Sequence, residues 1–156
     1  MIEPRDFRNA LGRFASGVTV VTIPDENEPA GVRGITANAF VSVSLSPPLV
    51  LVSIDKKARA HAPLLDAERY GISILSEAQA NVSDHFAGRP EAQVTPEFTE
   101  LEGFAVLAGA AAHLVCRIAE RHEAGDHTLF IGEVEALAVH EEAPLIYFRG
   151  KYEGLV

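Results

Sequence analysis

Residues 31–61 read GVRGITANAFVSVSLSPPLVLVSIDKKARAH, and their pattern predicts three consecutive strands. Residues 34–36 end the first. Residues 41–45 alternate as a half-buried second strand would, and residues 49–54 form a continuous apolar run suited to a fully buried third. Pro47 and Pro48 lack the N–H that a strand ladder needs, so they belong in the connection ahead of that third strand.

The ends of these strands carry the chemistry. Thr36, Ala37, Asn38 and Ala39 have short side chains, so a flat ligand can lie against the backbone and be held by peptide N–H and C=O groups. Ser53, Ile54 and Asp55 lead into Lys56, Lys57 and Arg59, a cluster able to hold a phosphate, since Arg offers a fork of donors and Lys a point charge. A planar polar ring at one end and an anion at the other describes a flavin nucleotide. A plain sheet followed by a solvated basic turn accounts for the same residues equally well.

Composition narrows the classes. Residues 1–156 have length enough for one domain with a proper core, and 47% hydrophobic with 22% charged residues is an ordinary globular balance. A net charge of -9 argues against a nucleic-acid or anionic-membrane partner, although local cations still form anion sites inside an acidic molecule. One cysteine, Cys116, leaves no intrachain disulfide and no Cys-rich metal site, and its neighbours suggest a buried strand position. The start, MIEPRDFRN, has no basic region followed by an apolar one, and no apolar run reaches the roughly 18 residues that span a bilayer. The expectation is a soluble, cytoplasmic protein with no membrane partner.

In chain order, Pro4, Asp6 and the helically spaced Phe7, Ala10, Leu11 and Phe14 predict an amphipathic helix over about 4–15. Residues 18–23 start the sheet, and 24–29 make an exposed hairpin connection. A short helix fits 60–68 and a strand fits 70–75. Ser76 with Gln79 forms a capping box ahead of a helix over 77–86, closed by Gly88 and Pro90. Residues 91–103 read as a long polar loop. Residues 110–119 alternate, with Ala112, Leu114, Cys116 and Ile118 on one side and His113, Val115 and Arg117 on the other. A turn at 123–125, a long strand over 127–139 and a short one over 145–148 complete the chain. Glu141 and Glu142 read as a solvated turn. Seven or so strands, two or three helices and no βαβ alternation favour a mainly β, antiparallel barrel.

No G-x-G-x-x-G, Walker A, H-E-x-x-H or G-x-S-x-G motif is present. A nicotinamide enzyme built on this chain therefore binds its dinucleotide without a Rossmann domain. A reaction whose two reacting centres both belong to cofactors fits such a site, because the protein then mainly holds them close.

GITANAF, then SVSLSPPLVLVSI, then ARAH, and much later GDHTLFIGEV occur in this order, and together they resemble the short-chain flavin reductase family, the reductase partners of two-component flavin monooxygenases. The likeness runs from Phe7 through FASGVTVVT to PLIYFRGKY. It implies a split β-barrel that binds FMN or FAD, uses NAD(P)H as hydride donor and forms a homodimer. By position it makes Thr36, Ala37 and Asn38 the ring-side contacts and Ser53, Ile54, Lys57 and Arg59 the phosphate-side contacts. Family members often carry a hydroxyl-rich segment where this chain has Lys56-Lys57-Ala58-Arg59, so cations dominate phosphate binding here.

The resemblance also implies that Phe86 lies near the flavin and that Asp126 and His127, within Gly125-Asp126-His127-Thr128, face the nicotinamide, with His127 taking the catalytic role. Read on their own, Phe86 is equally a core residue beside an exposed His85, and His127 a turn histidine. Tyr147 and Tyr152 either add aromatic surface to the same cleft or are structural residues, the reading their positions favour. His61 falls near the phosphate end, and His113, His122 and His140 read as surface residues without metal-ligand spacing.

The function implied is an NAD(P)H:flavin oxidoreductase that supplies reduced flavin to a partner monooxygenase. Two rivals remain at this point. One is a reductase whose bound flavin serves another acceptor such as a corrinoid or an iron chelate, and the other is a flavin-binding module without turnover.

Overall fold

The computed structural model describes residues 1–89 and 94–155. The described residues form three α-helices, α1 (Pro4–Leu11), α2 (His61–Asp66) and α3 (Ala80–Phe86). Their strands are β1 (Ser16–Gly17), β2 (Thr19–Pro24), β3 (Val32–Ala37), β4 (Phe40–Leu45), β5 (Pro48–Asp55) and β6 (Arg69–Ile74), followed by β7 (Phe98–Leu101), β8 (Phe104–Leu107), β9 (Ala112–Ala124), β10 (His127–Val139), β11 (Ile146–Phe148) and β12 (Lys151–Glu153). The expected stop at Pro90 and the first residues of the expected loop, 91–93, lie outside the described residues.

Seven strands make one antiparallel sheet in the order β3-β2-β6-β9-β10-β5-β4. Its two edges, β3 and β4, are consecutive in the chain, joined only by Asn38 and Ala39. Six strand spacings would hold the edges of a flat sheet roughly 29 Å apart, whereas the link reaches at most about 11 Å. The sheet must therefore curl until its edges nearly meet, which is the split barrel. The Ser53 N–H donates to the Ala39 carbonyl at 3.1 Å and pins the link onto β5.

β-Branched and aromatic side chains fill the barrel. Val21, Ile23, Val52, Ile54, Ile72, Tyr70 and Phe130 are all at most 2% exposed. A second cluster, Val18, Val20, Leu75, Leu107 and Leu145, packs with Phe86, Phe98 and Tyr147. The Tyr70 hydroxyl donates to the Phe130 carbonyl at 3.0 Å, and burial pushes its phenol far above the ordinary value. Burial likewise pushes the Cys116 thiol up to about 12, so Cys116 is the inert core residue expected.

Several expectations change. Residues 12–15 leave the first helix, and α1 buries none of its residues. Pro48 opens β5 rather than preceding it, paired with Leu45, while Pro47 stays in the turn. β5 is buried on one face only, at Val50, Val52 and Ile54. β4 is an edge strand whose apolar face, Val41, Val43 and Leu45, points outward. The expected loop carries β7 and the turn that pairs it with β8, made by Glu102 and Gly103 with φ of 49° and 78°, the two positive-φ centres of a type I′ turn. β9 continues to Ala124, held in register by β10. β12 was not anticipated. The capping box is present, with the Ser76 N–H donating to Gln79 Oε1 at 3.0 Å.

His113 is 4% exposed and not a surface residue. Its Nε2 lies 2.6 Å from the Leu107 carbonyl, which only accepts, so Nε2 carries the proton. Nδ1 then accepts from His140 Nε2 at 3.1 Å. Burial depresses the His113 pKa below 6.5, so below that pH the unfolded chain takes up a proton that the folded chain resists. Stability lost through this group therefore sets in as pH falls through about 6.5, and is absent above it. Urea unfolding at pH 7.5 and 5.5 should show a drop in the native protein, and His113→Gln should flatten it.

Candidate functional site

The edge position of β3 creates the first half of the site. A strand paired on one side only has peptide N–H and C=O groups pointing outward along its free edge. α3 lies across it. The Thr36 hydroxyl donates to the Ser83 carbonyl at 2.6 Å, which ties the end of β3 to this helix. Gly34 lets the Phe86 ring lie directly on the backbone, since a Cβ there would fall 2.6 Å from two ring carbons.

Between β3, the 58–60 segment and the end of α3 is a cavity of ≈ 790 Å³, whose walls include Arg33, Thr36, Arg59, Phe86 and Arg89. A smaller cavity of ≈ 140 Å³ adjoins it, sharing Thr36, Ala87 and Arg89 and adding Asn38, Tyr147 and Tyr152. The two strand tips singled out in the sequence, around Thr36 and around Arg59, thus face one space.

The cations are not equivalent. Lys56 Nζ is bound by Glu123 at 2.9 Å. Arg33 is held by Asp25 at 2.6 Å and by Glu28 at 2.9 Å. No carboxylate pairs with Lys57 or Arg59 among the described residues, so these two keep charge available for an anion. The Lys57 N–H caps Asp55 Oδ1 at 2.8 Å, which sets the turn that carries them.

The remaining sequence candidates fall into two groups. Ala37 and Ile54 are buried, at 7% and 2% exposed, so their side chains serve the core and only their peptide groups have a part to play. The Ala37 carbonyl is already taken by the Thr19 hydroxyl at 2.6 Å. Ser53 is half-buried in β5 opposite Leu129. Asp126 and His127 are not in the wall of either cavity. They form the tip of the β9–β10 hairpin, with His127 opposite Asp55 and the Asp126 carbonyl accepting the Lys56 N–H at 2.9 Å.

At that tip His127 Nδ1 is 2.7 Å from Asp126 Oδ1. The hydrogen bond from His127, and then its charge, hold the Asp126 carboxyl below the ordinary value. A carboxylate accepts, so Nδ1 carries the proton of this bond, and Nε2 has no hydrogen-bond partner among the described residues. Behind it, His61 Nε2 meets the Thr128 hydroxyl at 2.8 Å.

Sequence reasoning missed the α3 wall beyond Phe86. His85, Ala87, Gly88 and Arg89 read only as a helix stop, and Gly34 and Arg33 as ordinary strand. The signal available was a glycine inside a strand pattern, which marks a position where another group approaches the backbone closely. Gly34→Ala should displace the Phe86 ring from the wall and raise the KM of a ligand bound in this cavity roughly tenfold, about 1.4 kcal/mol. Steady-state kinetics would check it, alongside a lower melting temperature from the Phe86 packing lost in the second cluster.

Comparison with known proteins gives a consistent picture. The family model described as flavin reductase like domain matches residues 11–156. An NADH-dependent flavin reductase of a Rhodococcus species is 46% identical over 154 residues, covering 99% of this chain and 88% of the relative. The reductase component of a 4-hydroxyphenylacetate 3-monooxygenase from Thermus thermophilus is 42% identical over 96% of this chain and 95% of its own. Among solved structures, the flavin reductase PheA2 in its native state superposes with a TM-score of 0.92 at 46% identity, covering 99% of both chains. The Streptomyces globisporus NADH:FAD oxidoreductase SgcE6, in complex with NAD and FAD fragments, gives 0.88 at 36% identity, over 100% of this chain and 96% of that one.

Proposed function

Because this chain belongs to the flavin reductase like domain family, we propose that it passes a hydride from NAD(P)H to FMN or FAD in the cavity between β3 and the 58–60 segment, and that the reduced flavin serves a partner monooxygenase. The observation that carries the reading is the shared cavity of ≈ 790 Å³, with a free strand edge on one wall and an unpaired Arg59 on another. The flavin supplies the hydride acceptor and the nicotinamide the hydride. Everything else is positioning.

Outward peptide groups of β3 hold the polar edge of the ring, and fixed N–H dipoles there favour the charge that reduction adds. Thr36, anchored to Ser83, keeps that edge still. Lys57 and Arg59 take the phosphate. Asp126 fixes the His127 tautomer so that Nε2 accepts from the nicotinamide carboxamide.

The same reading assigns a second copy of the chain to the exposed apolar surface. Val41, Val43 and Leu45 on β4 are 53%, 47% and 95% exposed, and Leu137 and Val139 at the end of β10 are 62% and 78% exposed. Phe7, Leu11 and Phe14, in and after α1, are further exposed apolar side chains. An uncovered apolar edge strand invites pairing, and a homodimer covers it. No described helix is long and apolar enough to cross a membrane, and use of NAD(P)H suits the cytoplasm.

The deciding experiment measures NADH and NADPH oxidation with FMN, FAD and riboflavin in turn. Turnover that saturates with added flavin supports the reading; protein that binds flavin yet never oxidises NADH overturns it. His127→Ala should raise the KM for NADH several-fold more than it weakens flavin binding, about 1 kcal/mol for a lost hydrogen bond. Equal effects on both would remove His127 from the nicotinamide side.

A further inference from the structure

Arg89 stands where the two cavities meet, lining the larger beside Arg59 and the smaller beside Tyr152. Its Nη1 donates to Asp84 Oδ1 at 2.9 Å, and the same oxygen accepts the Tyr152 hydroxyl at 2.7 Å. With its proton committed to Asp84, Tyr152 accepts from Ser83 Oγ at 2.8 Å. Ser83 is only 1% exposed, so the chain of bonds is rooted in the interior.

This arrangement fixes one nitrogen of the guanidinium and leaves the rest of its donor fork to the cavity. The Arg89 side chain is 54% exposed, against 19% for Arg33, which two carboxylates occupy. Asp84 also offsets part of the Arg89 charge, so Arg89 suits a contact that discriminates between ligands more than one that supplies the main affinity.

We infer that Arg89 is a second anion contact, distinct from Lys57 and Arg59, and that it takes the pyrophosphate of a dinucleotide. The inference rests on the flavin reading of the cavity. Lys57 and Arg59 sit on the segment after β5, and Arg89 follows α3. A mononucleotide has one phosphate and satisfies one of these positions. A dinucleotide has two linked phosphates, and the planar fork of an arginine matches paired phosphate oxygens. Both FAD and NADH carry that group.

The test is steady-state kinetics of Arg89→Gln with FMN, FAD and riboflavin at fixed NADH, and with NADH and reduced nicotinamide mononucleotide at fixed FMN. If the pyrophosphate belongs to FAD, the ratio of kcat/KM for FAD to that for FMN, and to that for riboflavin, should fall about tenfold or more. If it belongs to NADH, the preference for NADH over the reduced mononucleotide should fall by that factor and the flavins should shift together. Arg89→Lys, which keeps the charge and loses the fork, should lie between Gln and the native residue. Unchanged ratios in both arms, with FMN turnover intact, overturn the inference and leave the flavin reading standing. Failure of the native protein to reduce any flavin overturns both.

Discussion

Gly132→Ala is expected to lower the melting temperature by roughly 5–10 °C, from about 2–3 kcal/mol of overpacking in a domain of this size. Gly132 lies at a register shift of β10 between Val50 and Ile118. A Cβ there would fall 2.6 Å from the Tyr70 hydroxyl, 2.7 Å from Tyr70 Cε1 and 2.7 Å from Cys116 Cβ. None of these neighbours has room to retreat, since Tyr70 and Cys116 are fully buried. Adding Tyr70→Phe should recover part of the loss, because the closest clashing atom disappears. Tyr70→Phe alone should cost about 1 kcal/mol through the bond to Phe130. The double mutant is then more stable than the two single losses predict, and calorimetry of the four proteins measures that coupling. Simple additivity would contradict the packing described.

Arg59→Glu should raise the KM for FMN on the order of 100-fold, because it removes a charge-assisted contact and sets a like charge against the phosphate. Riboflavin, which has no phosphate, is the internal control. Its KM should change by less than about threefold, and the preference of the native protein for FMN over riboflavin should vanish in the variant. An equal loss for both flavins would place Arg59 outside the phosphate site. Lys56→Glu makes the opposite comparison, because Lys56 is already occupied by Glu123 at 2.9 Å and its reversal should leave FMN kinetics nearly unchanged.

Where a segment's own pattern matched its surroundings, the sequence was easy to read. β10 runs over the expected 127–139, the capping box forms at Ser76, and Cys116 is core. β4 misled because alternation gives a face without saying which way it points; here the apolar face of Val41, Val43 and Leu45 looks outward. The β7–β8 hairpin was hidden because FTEL is short and half polar, yet Glu102-Gly103 between two matched segments was a usable turn signal. His113 looked like surface because its alternation partner Arg117 is exposed, whereas its ring is sealed by Leu107 and His140.

The candidate site was legible where chemistry and position coincide, at Thr36 and Arg59, and illegible where it depends on packing between distant segments. Nothing local in Ala87 to Arg89 announces a cavity wall. That wall exists because Thr36 draws the helix onto the strand from 47 positions away. Asp126 and His127 are candidates through resemblance alone, and they are not in the wall of either cavity.

The bend at Asn38 and Ala39 has a wider consequence. It makes the cavity-lining strand and the strand that offers an apolar face neighbours along the chain, with no slack to absorb an error. An inserted residue would be transmitted in both directions, turning the side chains of β4 over while dragging the end of β3 away from the helix above it. A chain with this design has almost no freedom to vary the length of one two-residue hinge.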